Sequence, residues 1–484
     1  MAQFPLLQGA YQARGVLANA QRCINLTPEP NPKDAPFPLS HYPAPGLSLM
    51  QDMAQYGYSG MVRGLYFTSN GRPIAAIGQS ILRIIGSGNA PILLGTLPTN
   101  SSNPVSMCDN GNGNSLVIVD GTSGGWTVPL SSIDTPGSMV AINDPAFFGS
   151  NHVDYIDTFL VFNRPGTREF YTTTSNVLTP FNPDYIAAKA GWNDVLVTAR
   201  CLHDNIWLLG NQTTEIWFNS GAPLFPFQRM PNSILQHGCV AAYSPVILDN
   251  AIYWLSQDRW GRNMVMRGEG YTAKRISNFA IEQIWNTYGY VGDCVGMAFQ
   301  YAGHETIGFY FPNAGAWWAY DASTGQWHQR TYNGVTQPWL AYSTAFWGTV
   351  AAIGEGNALL VGSRLGPQVY ILDRNSYTDG GTPITRLRAW PHAVADGKRQ
   401  HYQRFSLSMN GTNLSPDSVS LAWSDDGGQT FGNPVAQTTA NVSNGQYQWR
   451  RLGYARDRVF QVSWSATGET VLNGAWVDAV QAGT

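Results

Sequence analysis

Few residues in this chain have the types and spacing that chemistry requires. The best match is residues 424–431, which fit the pattern Ser-x-Asp-x-Gly-x-Thr-Phe. In such a turn the Asp carboxylate accepts backbone N–H groups, glycine adopts a left-handed conformation, and the aromatic ring packs at the base of the strand. The motif therefore predicts a hairpin turn rather than a catalytic group.

Three other motifs resemble sites but lack an essential part. Residues 121–125 fit Gly-x-Ser-x-Gly, but a nucleophile elbow needs a following helix, and a strand at 126–128 follows here, so we expect a hairpin turn. His304-Glu305 lacks the second histidine of a zinc protease. Residues 109–114 carry a single carboxylate, which favours a Gly/Asn-rich turn over a calcium loop. We predict no catalytic residue, metal ligand or cofactor.

The histidines and cysteines also lack metal-ligand spacing. The eight histidines are scattered, and we expect them in core hydrogen bonds or at the surface. The N-terminus lacks the basic and apolar regions of a signal peptide, and no apolar run approaches the ~18 residues of a membrane span. No Cys-x-x-Cys pair occurs among the five cysteines, which favours free thiols in a reducing cytoplasm: Cys23, Cys108, Cys201, Cys239 and Cys294.

The densest basic cluster comprises Arg450, Arg451, Arg456 and Arg458. One interpretation is an interface or a strip that faces phosphates, because arginine favours planar, bidentate contacts with anions. The other is a solvated hairpin whose arginines pair with Asp457 and its neighbours. The sequence leaves both interpretations open.

Composition indicates a folded chain with little surface charge. Of 484 residues, 43% are hydrophobic and 12% aromatic, which excludes a disordered chain, and the length predicts two or more domains. Charged residues make up 12%, about half the usual ~25%, so we expect neighbouring subunits to cover much of the surface. The net charge of −3 argues against wrapping of nucleic acid, which needs a clustered positive field.

A repeated pair of strands must position whatever the chain binds. Each copy has a short apolar strand, a polar turn and a second strand with aromatic or β-branched residues, at a spacing of roughly 42–55 residues. This period favours a β-propeller of about seven blades over a long β-sandwich or a β-helix. The predicted pairs are 74–77 with 81–85, 116–119 with 126–128, 159–162 with 169–172, 206–209 with 215–218, 252–255 with 263–266, 307–311 with 316–320, and 359–361 with 368–372.

The predicted fold is therefore all-β, with three parts. Residues 1–60 are expected to form an extended arm, because seven prolines between positions 28 and 45 disfavour a helix or a ladder. Residues 61–377 form the propeller, with short helices predicted at 183–190 and 277–288. Residues 378–383 are expected to be a linker. Residues 384–484 contain alternating strands that predict a C-terminal β-sandwich.

Two stretches of the chain resemble a known family. The more specific one contains Gln21, Arg22, Cys23 and Asn25, followed by the pair Pro28-Glu29. The other is the C-terminal run 421–464, and shorter matches at 208–217 and 275–284 follow in the same order. Together they resemble the packaged-DNA stabilisation proteins of short-tailed bacteriophages, also called tail accessory or tail hub proteins.

The resemblance implies a structural role. Such proteins form a ring of six copies below the portal and its adaptor, extend the DNA channel, and retain the genome. A needle, fibre or spike protein attaches to the ring, and DNA passes through without sequence-specific binding. The resemblance supplies no catalytic residues, and it implies a location in the virion tail after assembly in the bacterial cytoplasm. The alternative is a glycan-binding or sialidase-like propeller for host recognition, although no spacing singles out the residues of a glycosidase.

Overall fold

The computed structural model describes residues 20–482, except for 87, 100, 111–113, 332–344, 350–356, 374, 396, 412–417 and 439–445. The N-terminal part of this range contains four strands and a 3-10 turn at Met53–Tyr56. The four strands are β1 (Arg22–Ile24), β2 (Leu26–Pro30), β3 (Leu39–Pro43) and β4 (Gly46–Asp52).

Six groups of four antiparallel strands follow in chain order, and each group forms one propeller blade. The first three blades are β5–β8 (Val62–Phe67, Pro73–Ile77, Ser80–Arg83, Ile92–Thr96), β9–β12 (Ser106–Asp109, Ser115–Val119, Gly125–Pro129, Val140–Ala141) and β13–β16 (Val153–Ile156, Phe159–Asn163, Glu169–Thr172, Ile186–Ala188). The next three are β17–β20 (Leu196–Leu202, Asn205–Gly210, Thr214–Asn219, Phe227–Leu235), β21–β24 (Val246–Leu248, Ala251–Gln257, Asn263–Glu269, Thr272–Arg275) and β25–β28 (Val295–Tyr301, His304–Phe311, Ala316–Asp321, Gln326–Arg330). A 3-10 turn at Leu130–Ser132 follows β11.

The seventh blade is built from both ends of the propeller sequence. Its first three strands are β29 (Ala345–Thr349), β30 (Asn357–Gly362) and β31 (Gln368–Asp373). The fourth strand is the N-terminal β4, which pairs antiparallel with β31 so that Leu47 lies opposite Leu372. The ring is therefore closed by main-chain hydrogen bonds between segments from the two ends of the domain.

The alternation of side chains in the middle strands explains why they are apolar without interruption. In β18, Ile206 and Leu208 pack into a cluster shared with the third blade. Their neighbours Trp207 and Leu209 point the other way and pack against Trp254 of the fifth blade. A blade between two others has no solvent face, so both faces of its inner strands must be apolar. All seven predicted strand pairs are confirmed as the second and third strands of the blades.

The C-terminal residues and the N-terminal strands form the predicted β-sandwich together. One sheet has the order β1-β34-β41-β37-β38 and the other β2-β3-β42-β36-β39. Their facing sides bury an aromatic cluster that includes Trp390, Phe405, Trp449 and Phe460. The short strands β32 (Thr378–Asp379) and β33 (Thr382–Pro383) precede the sandwich and belong to the sheet of the seventh blade. The C-terminal strands of the sandwich are β34 (Thr385–Ala389), β35 (Ala393–Val394), β36 (Gln400–Gly411), β37 (Ser418–Ser424), β38 (Val435–Thr438), β39 (Gln446–Arg450), β40 (Tyr454–Ala455), β41 (Asp457–Ser465) and β42 (Thr470–Gln481).

The expectation that the N-terminal prolines exclude a ladder is wrong. Residues 26–30 pair with 39–43 along their whole length, and β3 in turn pairs with β42. Pro28 and Pro30 are tolerated because β2 lies at the edge of its sheet, where a missing N–H group breaks no ladder. Pro43 ends a strand. The described part of the predicted arm is therefore an integral part of both domains, whereas residues 1–19 lie outside the described residues.

Two further local predictions are corrected, and one is confirmed. Residues 186–188 form β16, the outer strand of a blade, instead of a helix, since they complete the ladder beside Phe170. The expected linker is a tight hairpin of β32 and β33 that turns at Gly380 and Gly381, and β32 adds to β4. The second predicted helix is α1 (Phe279–Trp285), and the Asn278 side chain caps its N-terminus.

Candidate functional site

Asn25 lies at a junction of three chain segments. Its Nδ2 donates to Thr331 Oγ1 and to the Thr385 carbonyl, each at 2.8 Å. Its Oδ1 accepts from the Thr331 backbone N–H at 2.8 Å. The residue has a φ of 57°, a left-handed conformation that asparagine tolerates better than most residues. Through this side chain the N-terminal segment is fixed to the end of the sixth blade and to the start of the sandwich.

The main chain on either side of Asn25 continues this connection. Strand β1 pairs parallel with β28 and antiparallel with β34, so one ten-stranded sheet runs from the sixth blade into the sandwich. Arg388 of β34 is fully buried, and its Nη2 donates to Gln21 Oε1 at 2.9 Å. Its Nη1 also donates to the Arg22 carbonyl at 3.3 Å. Burial lowers the pKa of Arg388 to about 10, which leaves it charged at neutral pH.

Cys23 and Pro28 are structural members of the same region. The Cys23 thiol is buried in the sandwich core and donates to the Leu26 carbonyl at 3.6 Å, and burial raises its pKa to about 11. A protonated thiol of this kind is a weak nucleophile. Pro28 is buried in β2 opposite His41.

Glu29 connects the β2–β3 hairpin to the sixth blade through a histidine. His304 Nε2 lies 3.0 Å from Glu29 Oε1, and His304 Nδ1 lies 2.6 Å from Asp321 Oδ2. Hydrogen bonds to these two carboxylates, first Asp321 and then Glu29, raise the pKa of His304 to about 9. The imidazole is therefore a cation at neutral pH and donates from both nitrogens. Such a carboxylate–imidazolium–carboxylate chain binds the two domains together and leaves no free base for catalysis.

The predicted basic cluster is divided by the structure. Arg450, Arg451 and Arg456 are exposed, and Arg451 adopts a φ of 61° in the turn before β40. Arg458 is 2% exposed, and its Nε and Nη2 donate to Asp425 at 2.5 and 2.7 Å. The interface interpretation is therefore wrong for Arg458, whose guanidinium is held inside the sandwich.

The motifs that resembled catalytic sites form turns. In residues 424–431, the Asp426 carboxylate accepts from the Ser424 and Thr430 hydroxyl groups and from the backbone N–H groups of Thr430 and Gln429. These bonds, the two hydroxyl bonds above all, keep the pKa of Asp426 far below its usual range. Residues 120–124 form the turn between β10 and β11, as predicted. In the part of the chain that the structure describes, no group of three His, Cys, Asp or Glu side chains is placed to hold a metal ion. No helix there is long and apolar enough to cross a membrane.

The inner strands of the blades surround a small central cavity. Its volume is about 380 Å³, and it is lined by first strands of six blades. Arg200 lines it and pairs with Asp154 of the adjacent blade at 3.0 Å. Burial lowers the pKa of the neighbouring His152 to about 3, so this histidine is neutral. The cavity has the volume of a small-ligand pocket (roughly 300–1,000 Å³).

Two family models match this sequence. The model described as bacteriophage P22 Gp10, beta-propeller, matches residues 2–377, and the model described as bacteriophage P22 Gp10, beta-sandwich, matches residues 385–480. The chain belongs to the bacteriophage P22 Gp10 family. The family comprises tail accessory, or DNA-stabilisation, proteins of short-tailed phages, so this protein is a phage structural protein.

Other comparisons add no function. Among curated proteins, none matches the sequence. The propeller domain of Myceliophteria thermophila Cps50 (Swd1) is 8% identical, with 64% of this chain and 96% of that chain covered and a TM-score of 0.41. The extracellular domain of BT4673 from B. thetaiotaomicron is 9% identical, with 91% and 61% covered and a TM-score of 0.43.

In this Gp10-family chain, the residues that carried the resemblance lie where the N-terminal segment connects the sixth blade to the sandwich. We call this contact region the domain joint. Gln21 and Asn25 form hydrogen bonds with residues of the sandwich, and Glu29 forms one with His304 of the sixth blade. Sequence reasoning missed the partners of these residues, Arg388 and His304. A weak local signal existed for His304, because its other partner, Asp321, begins an Asp-x-Ser-Thr-Gly pattern at residues 321–325. No local sequence pattern indicated that Arg388 would bind Gln21, which lies 367 positions away in the chain.

Proposed function

We propose that this protein is the tail hub of a short-tailed phage virion and acts as a structural, non-enzymatic component. In this proposal, six copies form a ring below the portal and adaptor, within the virion tail, after assembly in the bacterial cytoplasm. The ring extends the DNA channel, retains packaged DNA and anchors a needle, fibre or spike protein. The observation that carries the proposal is the match of both Gp10 family models along nearly the whole chain.

The DNA channel of such a hub would lie between copies rather than through each propeller. A duplex whose major groove alone is about 12 Å wide cannot pass a cavity of only about 380 Å³ that is lined by the Arg200–Asp154 pair. A ring of copies related by rotation leaves a wider central opening. The low charge of the chain suits this role, because a strongly basic lining would bind phosphates and slow ejection.

The joint supports a hub that transmits force without changing shape. The ten-stranded sheet and the Glu29–His304–Asp321 chain fix the sandwich to the sixth blade by hydrogen bonds that a flexible linker would not provide. Parts attached to either domain would then keep a constant relative orientation. Fixed orientation is what a ring component needs when it connects a portal to distal tail parts.

Imaging of intact particles tests the proposal. We expect density for this fold as a ring below the portal, and particles produced without this protein should package DNA and then lose it. A matched particle that carries the wild-type gene on a plasmid should retain its DNA. A solitary chain that is absent from particles, or one that hydrolyses or saturably binds a polysaccharide, would contradict the proposal and favour the glycan-directed alternative.

A further inference from the structure

One outer face of the sandwich combines exposed aromatic, aliphatic and basic side chains. Tyr454 of β40, His401 of β36 and Val480 of β42 are direct neighbours across three strands. Tyr454 is 50% exposed and Val480 is 53% exposed, whereas Tyr402, the residue after His401, is buried in the core. This row of side chains therefore points away from the core into solvent.

Two arginines extend the row. The Arg399 guanidinium lies over the Tyr454 ring at 5.0 Å from its centroid. The His401 ring also stacks on the Tyr454 ring, with the two centroids 4.4 Å apart. Arg456, two residues after Tyr454, donates to the Gly397 carbonyl at 2.8 Å. We name these five residues, Arg399, His401, Tyr454, Arg456 and Val480, the sandwich-end surface.

The exposed charged residues that the structure describes around this surface are mainly basic. Lys398 and Arg451 in the adjoining turns and Arg450 at the end of β39 are also exposed. Among the acidic residues described beside it, Asp457 is bound by His392 at 2.7 Å and Asp478 by Arg404 at 2.6 Å. These carboxylates already have side-chain partners of their own, so they do not satisfy the exposed guanidinium groups.

We propose that the sandwich-end surface docks an acidic segment of another protein, one with a carboxylate-rich stretch beside an apolar or aromatic side chain. This inference deepens the proposed function, because it names the chemistry of one partner of the hub. Tyrosine and arginine are enriched among residues that dominate binding energy, and guanidinium groups bind carboxylates in a bidentate way. Tyr454, held by Arg399 and His401, is pre-organised for such a contact.

Charge favours a protein over nucleic acid as the occupant. Residues 384–484 contain nine Lys and Arg against seven Asp and Glu, a net charge of +2. A domain that tracks a phosphate backbone normally carries a much larger positive field. Short-range contacts to a few carboxylates need only the local arrangement of exposed arginines that this surface presents.

Binding to defined probes tests the inference on the purified full-length chain. The probes are a labelled glutamate-rich peptide with a central phenylalanine, the same peptide with glutamine in place of glutamate, and a short DNA duplex. We expect the acidic peptide to bind best at low salt. Arg399→Glu with Arg456→Glu should weaken it by about tenfold or more, and Tyr454→Ala by several-fold. Arg168→Glu with Arg259→Glu, an equal charge change at exposed propeller positions, should have little effect.

Several results would overturn the inference. These are tighter binding of the duplex than of the acidic peptide, equal binding of the glutamine peptide, or equal loss in the control pair. In particles, a photo-crosslinker in place of Tyr454 should react with an acidic segment of another virion protein, and crosslinks confined to DNA would contradict it. If the chain is absent from particles, the proposed function fails. The peptide measurements still decide whether the sandwich-end surface binds an acidic segment.

Discussion

Glu29 Oε1 and His304 Nε2 lie 3.0 Å apart, and this contact joins the N-terminal hairpin of the sandwich to the sixth propeller blade. Glu29 is 275 positions away from His304 in the chain. Asp321 holds the other ring nitrogen, so the imidazolium is bound from both sides. The contact depends on protonation and therefore makes the joint sensitive to pH.

We expect the joint to weaken in alkaline solution. The pKa of His304 is raised from 6.5 to about 9 in the folded protein, so its contribution is complete below pH 6.5 and is lost as the pH rises through 9. The pKa of Asp321 is lowered from 3.8, so its contribution is lost in acid. Between pH 6 and 9.5, wild type should lose roughly 1–2 kcal/mol more stability than His304→Gln.

Thermal or urea unfolding of both proteins at the two pH values measures this difference. Glu305→Gln is a suitable control, because Glu305 neighbours His304 but is half-buried and accepts a hydrogen bond from Gln300 instead of contacting the imidazole. It should follow the wild-type pH profile. Parallel loss of stability in wild type and His304→Gln would show that this histidine does not carry the effect.

Asn25 should contribute to the stability of the folded protein through both its side chain and its backbone conformation. Asn25→Ala leaves the Thr331 N–H without its acceptor and places alanine at a φ of 57°, which should cost about 2–4 kcal/mol of unfolding free energy. Asn25→Gly removes the same hydrogen bonds without the backbone strain and should cost about 1 kcal/mol less. The denaturation midpoints of the two variants measure the difference, and identical midpoints would exclude a role for the left-handed conformation.

The sequence predicted the blades well because their middle strands carry a local signal. A strand such as β18 is apolar on both faces, and its partner follows within a few residues. Outer strands lack that signal, which is why the short β16 was expected to be helical. A strand of three residues with little burial is defined by the neighbour it pairs with.

The joint could not be predicted, because its contacts connect distant parts of the chain. Asn25 binds residues 306 and 360 positions away, and no periodicity encodes such a pairing. Gln21 and Asn25, which carried the resemblance, lie at this joint, but the resemblance did not indicate their partners. Likewise, the sequence reveals the positive charge of the arginine cluster. It does not reveal that the Arg458 side chain is buried in the sandwich.

Closure of the seventh blade by β4 should depend on Leu47. This side chain is 1% exposed and packs with Tyr310 and Leu372. Leu47→Ala should reduce the free energy of unfolding by about 2–4 kcal/mol through lost burial and the cavity left behind. Leu49→Ala in the same strand is the matched control, because Leu49 is 52% exposed and its truncation should cost under about 0.5 kcal/mol. Equal effects of the two substitutions would contradict the assigned register.

Because Arg458 is buried and Arg456 is exposed, we expect substitutions at these two positions to change the free energy of unfolding by very different amounts. Arg458 is buried with Asp425, donates to the Leu452 carbonyl at 2.6 Å and lies over the Tyr402 ring at 4.6 Å. Arg458→Ala removes all these contacts and should cost about 3 kcal/mol of unfolding free energy. Arg456→Ala removes an exposed side chain and should change stability by under about 0.5 kcal/mol. Urea denaturation of the two variants separates an interior role from a surface role, because a surface role for Arg458 predicts equal, small changes.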